Sequence, residues 1–311
     1  MLNLFWPPHA TSPRLTLSAT AHSFVNCVRF APNGDSFVTG GADGKAVLYD
    51  GKEGTMKGQL GGDAGAHKSG IYGVAWSPDS TKVLTASADK TVKLWDVESN
   101  AVLTTFTFGE GLEFQQLGCL WAGDHMLSVQ LNGHINYLDG ANPDKPLRVL
   151  RGHNKNITAL AVDRATGRFF AGSYDGRVSK YDAATGDCTM YANQPGSSVD
   201  AIAIAGDDLI LAAQDDTVCV TPTAAEALAA RLSMASCPRG IANAGGSKTV
   251  VACLGELVVL DGGRQLSSTP LAYQATCAAM MTGDGVVAVG GSDKKVHIYE
   301  LNGDSLSETK V

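Results

Sequence analysis

The chain has 311 residues, 44% of them apolar, enough to bury one large core or two modest ones. Its 36 glycines and only 18% charged residues suit many short strands joined by tight turns, and disfavour long helices with charged outer faces. A net charge of -7 argues against broad non-specific affinity for nucleic acid or anionic membrane.

The first residues, MLNLFWPPHATSPRLTL, lack a charged leading segment and are interrupted by Pro7 and Pro8, so they do not read as a signal peptide. No apolar run elsewhere is long enough to span a bilayer, and a cytoplasmic address is expected. Residues 14–19, RLTLSA, alternate as a strand does. The segments APNGDSFVTGGADGKAVLYD at 31–50 and SPDSTKVLTASADKTVKLWD at 77–96 then align without a gap. Each reads as the end of a strand, a polar turn, a second strand ending in a small residue, a tight Asp-containing turn and an alternating third strand. A third copy spans 162–182, and weaker copies lie at 127–139, 209–221, 249–261 and 286–300. The segment 221–234 has some helical character but reads nearly as well as a loop followed by an outer strand.

The turn positions Asp43, Asp89, Asn132, Asp175, Asp215, Gly255 and Asp293 are separated by 46, 43, 43, 40, 40 and 38 residues. That period matches a four-stranded propeller blade, whereas ankyrin and leucine-rich repeats are shorter. The fold class expected is all-β, a seven-bladed β-propeller. Two arrangements stay open. One is a single ring over 1–311, with 14–19 as the closing outer strand and Leu15 and Leu17 in the blade that contains Tyr299. Its rival for that strand is the chain from Leu301 onward. The other arrangement is two incomplete propellers, 1–150 and 151–311, meeting near Leu150 to Gly152. One ring is expected, because an open stack would leave two apolar faces and two strand edges in water.

In the second copy His67 precedes the first strand, Ser87 ends the second, Asp89 sits in the turn and Trp95 ends the third. The set resembles the structural tetrad of WD-repeat proteins, in which imidazole, hydroxyl, carboxylate and indole form a buried hydrogen-bond chain. His153, Ser173, Asp175 and Tyr181 make a variant set, as do His22, Gly41, Asp43 and Tyr49. A His, Ser and Asp combination invites a hydrolase reading, but here the hydroxyl recurs with the repeat, so catalysis is not expected.

No other pattern carries chemistry. Seven cysteines, none closer than 16 residues to the next, form neither a CxxC pair nor a zinc knuckle. AGAHKSG at 64–70 has histidine where a P-loop needs glycine, and a strand follows. Asp207, Asp208, Asp215 and Asp216 lack calcium-loop spacing and read as turn residues. Trp76 and Trp121 read as packing between blades, and His125, His134 and His297 lack metal-ligand spacing. No metal or cofactor is expected.

The stretches AHSFVNCVRFAPNGDSF at 21–37, GIYGVAWSPDSTKVLTASADKTVKLWDV at 70–97, QQLGCLWAGDHMLSVQLNGHINYLDGANPDKPL at 115–147 and RGHNKNITAL at 151–160 resemble the actin-interacting protein 1 family. The resemblance covers the central half of such a protein, the end of its first propeller and the start of its second. It implies a scaffold, monomeric and cytoskeletal, that binds actin filaments with cofilin and promotes their disassembly. It further implies a partner contact at Phe24, with its neighbour Ser23, and at Arg14 in the preceding strand, where ATSPRLTL departs from the family pattern. A generic WD-repeat adaptor for another complex is the alternative.

Overall fold

The computed structural model describes residues 24–51, 55–62, 66–229, 231–280, 285–293 and 296–308. They form seven four-stranded antiparallel sheets in chain order. The first blade is β1 (Val25–Phe30), β2 (Ser36–Gly41), β3 (Ala46–Asp50) and β4 (Met56–Gln59). The second is β5 (Ile71–Trp76), β6 (Lys82–Ser87), β7 (Thr91–Asp96) and β8 (Val102–Thr107). The third is β9 (Gln116–Ala122), β10 (His125–Gln130), β11 (Ile135–Tyr137) and β12 (Arg148–Leu150). The fourth is β13 (Ile157–Asp163), β14 (Arg168–Ser173), β15 (Val178–Asp182) and β16 (Cys188–Met190). The fifth is β17 (Val199–Ala205), β18 (Asp208–Ala213), β19 (Thr217–Pro222) and β20 (Arg231–Ser233). The sixth is β21 (Pro238–Gly245), β22 (Lys248–Cys253), β23 (Glu256–Asp261) and β24 (Arg264–Pro270). The seventh is β25 (Ala275–Met280), β26 (Val286–Gly291), β27 (Val296–Asn302) and β28 (Ser305–Glu308). The segment 221–234 holds the end of β19, a loop and β20, with no helix.

Burial peaks in the second strands and is lowest in the outer ones. Every residue of β2 is buried, because a second strand is covered on both faces by neighbouring blades, so its sequence is a run of small and apolar residues. Every residue of β16, an outer strand, is exposed. Core clusters join successive blades. Val38, Leu48 and Leu60 pack with Ile71, Trp76 and Val83, and the Trp76 indole donates to the Arg29 carbonyl at 2.9 Å. Leu127, Val129 and Tyr137 pack with Ile157, Phe169 and Tyr181 across the junction near residue 150. Val25, Phe37 and Tyr49 of the first blade pack with Ala279, Ala288 and Ile298 of the seventh. These contacts close one ring and overturn the two-propeller alternative.

The closing outer strand expected at 14–19 lies outside the described residues. Among the described residues the outer strand of the blade containing Tyr299 is β28, with Tyr299 opposite Glu308 and Leu301 opposite Leu306. The reason is local. Gly303, at φ 66°, lets the chain reverse directly after β27, and Leu306 becomes buried. Arg14, Leu15 and Leu17 lie outside the described residues.

Each first strand accommodates one extra residue after its first pairing, at Asn26, Tyr72, Leu117, Thr158, Asp200, Arg239 and Thr276. The next residue is always small, namely Cys27, Gly73, Gly118, Ala159, Ala201, Gly240 or Cys277, because the seven strands converge there. A Cβ on Gly73 would lie 2.7 Å from the Gly118 Cα. The strands surround an axial cavity of about 540 Å³, whose lining includes Arg29, Tyr72, Asp200 and Arg239.

Candidate partner-binding face

One face of the ring is built from the loops that enter each first strand and the turns that join second to third strands. A recurring hydrogen bond ties the two together: Ala42 N–H donates to the Phe24 carbonyl at 2.8 Å, Ala88 to Gly70 at 3.0 Å and Tyr174 to Asn156 at 3.0 Å. The backbone of Phe24 is thereby fixed, while its side chain is 51% exposed and belongs to no core cluster. Ser23, Arg14 and His22 lie outside the described residues. The same face presents Tyr72 at 49%, Leu112 at 70% and Tyr174 at 58% exposure. Sequence reasoning missed these three. Tyr72 could have been found by noting that the strand alternation breaks at its position, which is the extra residue of β5.

Beneath this face the second blade holds a continuous polar chain. Trp95 Nε1–H donates to Thr85 Oγ1 at 2.8 Å, Thr85 Oγ1 lies 2.7 Å from His67 Nε2, and His67 Nδ1 lies 2.9 Å from Asp89 Oδ2. With Nδ1–H directed at the carboxylate, Nε2 accepts the Thr85 hydroxyl proton, which fixes the tautomer. Burial opposes ionisation of Asp89. The His67 contact, the Thr91 hydroxyl and the Lys68 N–H overcome it and hold the carboxyl well below the usual carboxylate range.

The hydroxyl assigned to Ser87 is therefore corrected to Thr85. Ser87 instead donates to the Ser69 carbonyl at 3.0 Å and accepts from Asp89 N–H at 3.1 Å, bracing the loop against the turn. Ser173 makes the matching bond to the Asn156 carbonyl at 3.1 Å. Strand register places Thr39, Thr85, Ser128, Ala171, Leu211, Val251 and Val289 at the bridging position of the seven blades. In the first blade Asp43 accepts from Lys45 N–H at 3.1 Å. In the fourth, Ala171 has no hydroxyl. His153 and Tyr181 stand 6.4 Å apart between ring centroids, and both imidazole nitrogens and the Tyr181 hydroxyl lack partners among the described residues. The expectation that His153, Ser173, Asp175 and Tyr181 form a linked set is corrected accordingly. Asp175 accepts from Arg177 N–H at 3.1 Å.

In the seventh blade His297 lies between Asp293 at 3.0 Å and Glu308 at 2.8 Å, stacked on Tyr273. Among the described residues no cluster of three or more His, Cys, Asp or Glu side chains could hold a metal ion.

Residues 12–50, 60–96 and 144–182 match the family described as WD domain, G-beta repeat. The chain is 43% identical over 292 residues to WD repeat-containing protein 1 of Xenopus tropicalis, covering 92% of this chain and 48% of that protein. It is 42% identical over 290 residues to the Gallus gallus protein of the same name, covering 91% of this chain and 48% of that one. It is 38% identical over 291 residues to Actin-interacting protein 1 of Drosophila melanogaster, covering 93% and 47%. The chain thus spans about half the length of these relatives. Among solved structures, the β-propeller domain of Myceliophteria thermophila Cps50 (Swd1) superposes with TM-score 0.77 at 17% identity, covering 93% of this chain and all of that one. The computationally designed Ika8 protein superposes with TM-score 0.70 at 22% identity, covering 89% and 83%. Both likenesses concern the fold alone.

Proposed function

The chain belongs to the WD-repeat propellers of the actin-interacting protein 1 family, and we propose that it is a scaffold that binds actin filaments together with cofilin and promotes their disassembly. The observation that carries this reading is Phe24: an aromatic side chain half in solvent, on a backbone held by the Ala42 bond, within the 12–50 WD-repeat match of a chain similar to a protein named for actin interaction. An aromatic on a backbone held by a hydrogen bond is an economical anchor, since little backbone freedom is lost when a partner covers it. Tyr72, Leu112 and Tyr174 extend the contact area on the same face. The work of such a face is differential binding to one filament state, without bond chemistry, and its setting is the cytoskeleton.

Co-sedimentation with bare and cofilin-decorated filaments tests the reading. Decorated filaments should carry the chain down, and Phe24→Ala should weaken that binding by about 2 kcal/mol, a typical anchor value. A folded sample that stays in the supernatant with both filament types would sink the proposal.

The alternative reading is an adaptor for another complex, which would use the same exposed side chains, Phe24, Tyr72, Leu112 and Tyr174. A pull-down that recovers a stable partner without actin would favour the adaptor.

A further inference from the structure

The face that carries Phe24 has a cationic sector at the boundary of the third and fourth blades, and the matching segments of the first and second blades hold Lys45, Lys68 and Lys90. Three pieces of chain meet at the sector: the turn 132–134, the loop 151–156 and the turn 174–177. Gly133, at φ 83°, packs its turn so closely on the loop that a Cβ would lie 2.3 Å from the Lys155 carbonyl oxygen. Tyr174 N–H joins the loop to the fourth-blade turn through the Asn156 carbonyl. Exposed on this sector are Arg151, Lys155, Arg177 and the ring of Tyr174.

Asp175 is the one acidic residue in these three segments, and it lies 3.7 Å from Arg177. The side chains of Arg151 and Lys155 make no ion pair or hydrogen bond among the described residues, so the sector keeps two uncompensated cations in a chain of net charge -7. Burial, with the Arg151 guanidinium beside it, pushes the His134 imidazole below its usual value, so His134 adds no charge at neutral pH. Carboxylates flank the sector on the same face, with Lys90 beside Glu110 and Arg231 3.5 Å from Asp215. Glu110 and Glu113 are exposed ahead of the third blade, and Asp215 and Asp216 form the turn of the fifth.

We infer that this sector receives a short carboxylate-rich segment of a partner protein, with Arg151, Lys155 and Arg177 meeting the carboxylates and Tyr174 covering an adjacent apolar stem. The inference rests on the reading of this face as the partner-binding face and names the chemistry of what docks there. A patch a few residues wide, bounded by carboxylates, fits a short acidic segment better than a nucleic acid. A continuous phosphate backbone would run from the cations onto Glu113 or Asp216 and be repelled. The flanking acids also set the direction in which a partner of mixed charge can lie.

The test uses the full chain and a fluorescent oligoglutamate peptide, followed by anisotropy at low and at physiological ionic strength. Arg151→Glu combined with Lys155→Glu should weaken binding at least about tenfold at low salt, where cations within a Debye length of about 10 Å or more act together. Arg168→Glu combined with Arg264→Glu, which reverses exposed cations elsewhere, should leave binding in place. Equal loss in both variants, no binding by the unaltered chain, or tighter binding of polyuridylate than of oligoglutamate would overturn the inference. Phe24→Ala should retain the peptide. A chain that takes the peptide and ignores filaments would therefore sink the actin reading alone, and one that binds filaments but not the peptide would sink this inference alone.

Discussion

The indole N–H of Trp95 donates to the hydroxyl of Thr85 at 2.8 Å, and that same oxygen meets the His67 imidazole at 2.7 Å. One hydroxyl thus satisfies two buried groups from different parts of the blade. Thr85→Ala orphans both, and each orphan costs about 1–3 kcal/mol, so a loss of roughly 2–5 kcal/mol is expected. Ser87→Ala removes one local brace and should cost about 1 kcal/mol. Urea unfolding of the two variants checks the order. A Ser87→Ala loss as large as that of Thr85→Ala would contradict the bridging role given to Thr85.

The fourth blade offers the reverse experiment. Its bridging position is Ala171, fully buried, with His153 and Tyr181 on either side and neither bonded. Ala171→Thr supplies the hydroxyl that the second blade has, and should raise stability by about 1 kcal/mol, less any strain from the added atoms. Ala171→Ser adds less volume and should give the same sign. The gain should vanish in a Tyr181→Phe, His153→Leu background, where no polar partner remains for the new hydroxyl; thermal melts of the four combinations measure it.

The contrast between these two blades also explains how far sequence alone could go. Seven repeats, their period and the single ring were legible because turn residues recur and an open stack would expose strand edges. The identity of the bridging hydroxyl was not. Thr85 and Ser87 face the same side of one strand two residues apart, and only their reach to His67 or to the Ser69 carbonyl separates them. The outer strand of the seventh blade was hard to read for a related reason. Ser305–Glu308 is polar except for Leu306, so its apolar content is too low to read as a strand, whereas RLTLSA alternates well. In the candidate face, Phe24 was named through the family resemblance. Arg151 and Lys155 were not, since their juxtaposition with Tyr174 depends on two turns folding onto one loop.

His153 makes the fold sensitive to acid. Burial is the main cause holding its imidazole below the usual value, with Asp175 opposing and Arg177 adding to the shift. Between the folded and unfolded values the unfolded chain binds the extra proton, so stability rises with pH through that interval. The contribution is complete above the ordinary histidine value of about 6.5 and is lost as pH falls below it toward the folded value. His134, shifted the same way by burial and Arg151, contributes with the same sign. Unfolding free energy measured across this range should therefore fall with acidification, and His153→Asn should flatten part of the slope. An unchanged slope in that variant would rule out His153 as a source.

The convergence of the first strands makes a sharper prediction about two glycines at equivalent positions. Gly73 faces backbone: an added Cβ would sit 2.7 Å from the Gly118 Cα and 2.8 Å from the Cys119 nitrogen. Backbone held in a ring cannot step aside as a side chain can, so Gly73→Ala must widen the spacing between β5 and β9. A cost of about 2–3 kcal/mol or more is expected, as for overpacking in a rigid core. Gly118 faces a side chain instead, with Leu160 Cδ1 at an ordinary 3.5 Å. Gly118→Ala adds contact there and reduces the freedom of the unfolded chain, which should stabilise by about 0.4–1 kcal/mol. Paired urea titrations decide the matter: opposite signs at two matching positions would follow from the direction in which each Cβ points, and equal losses would show that the inner ring tolerates no side chain at this level in either blade.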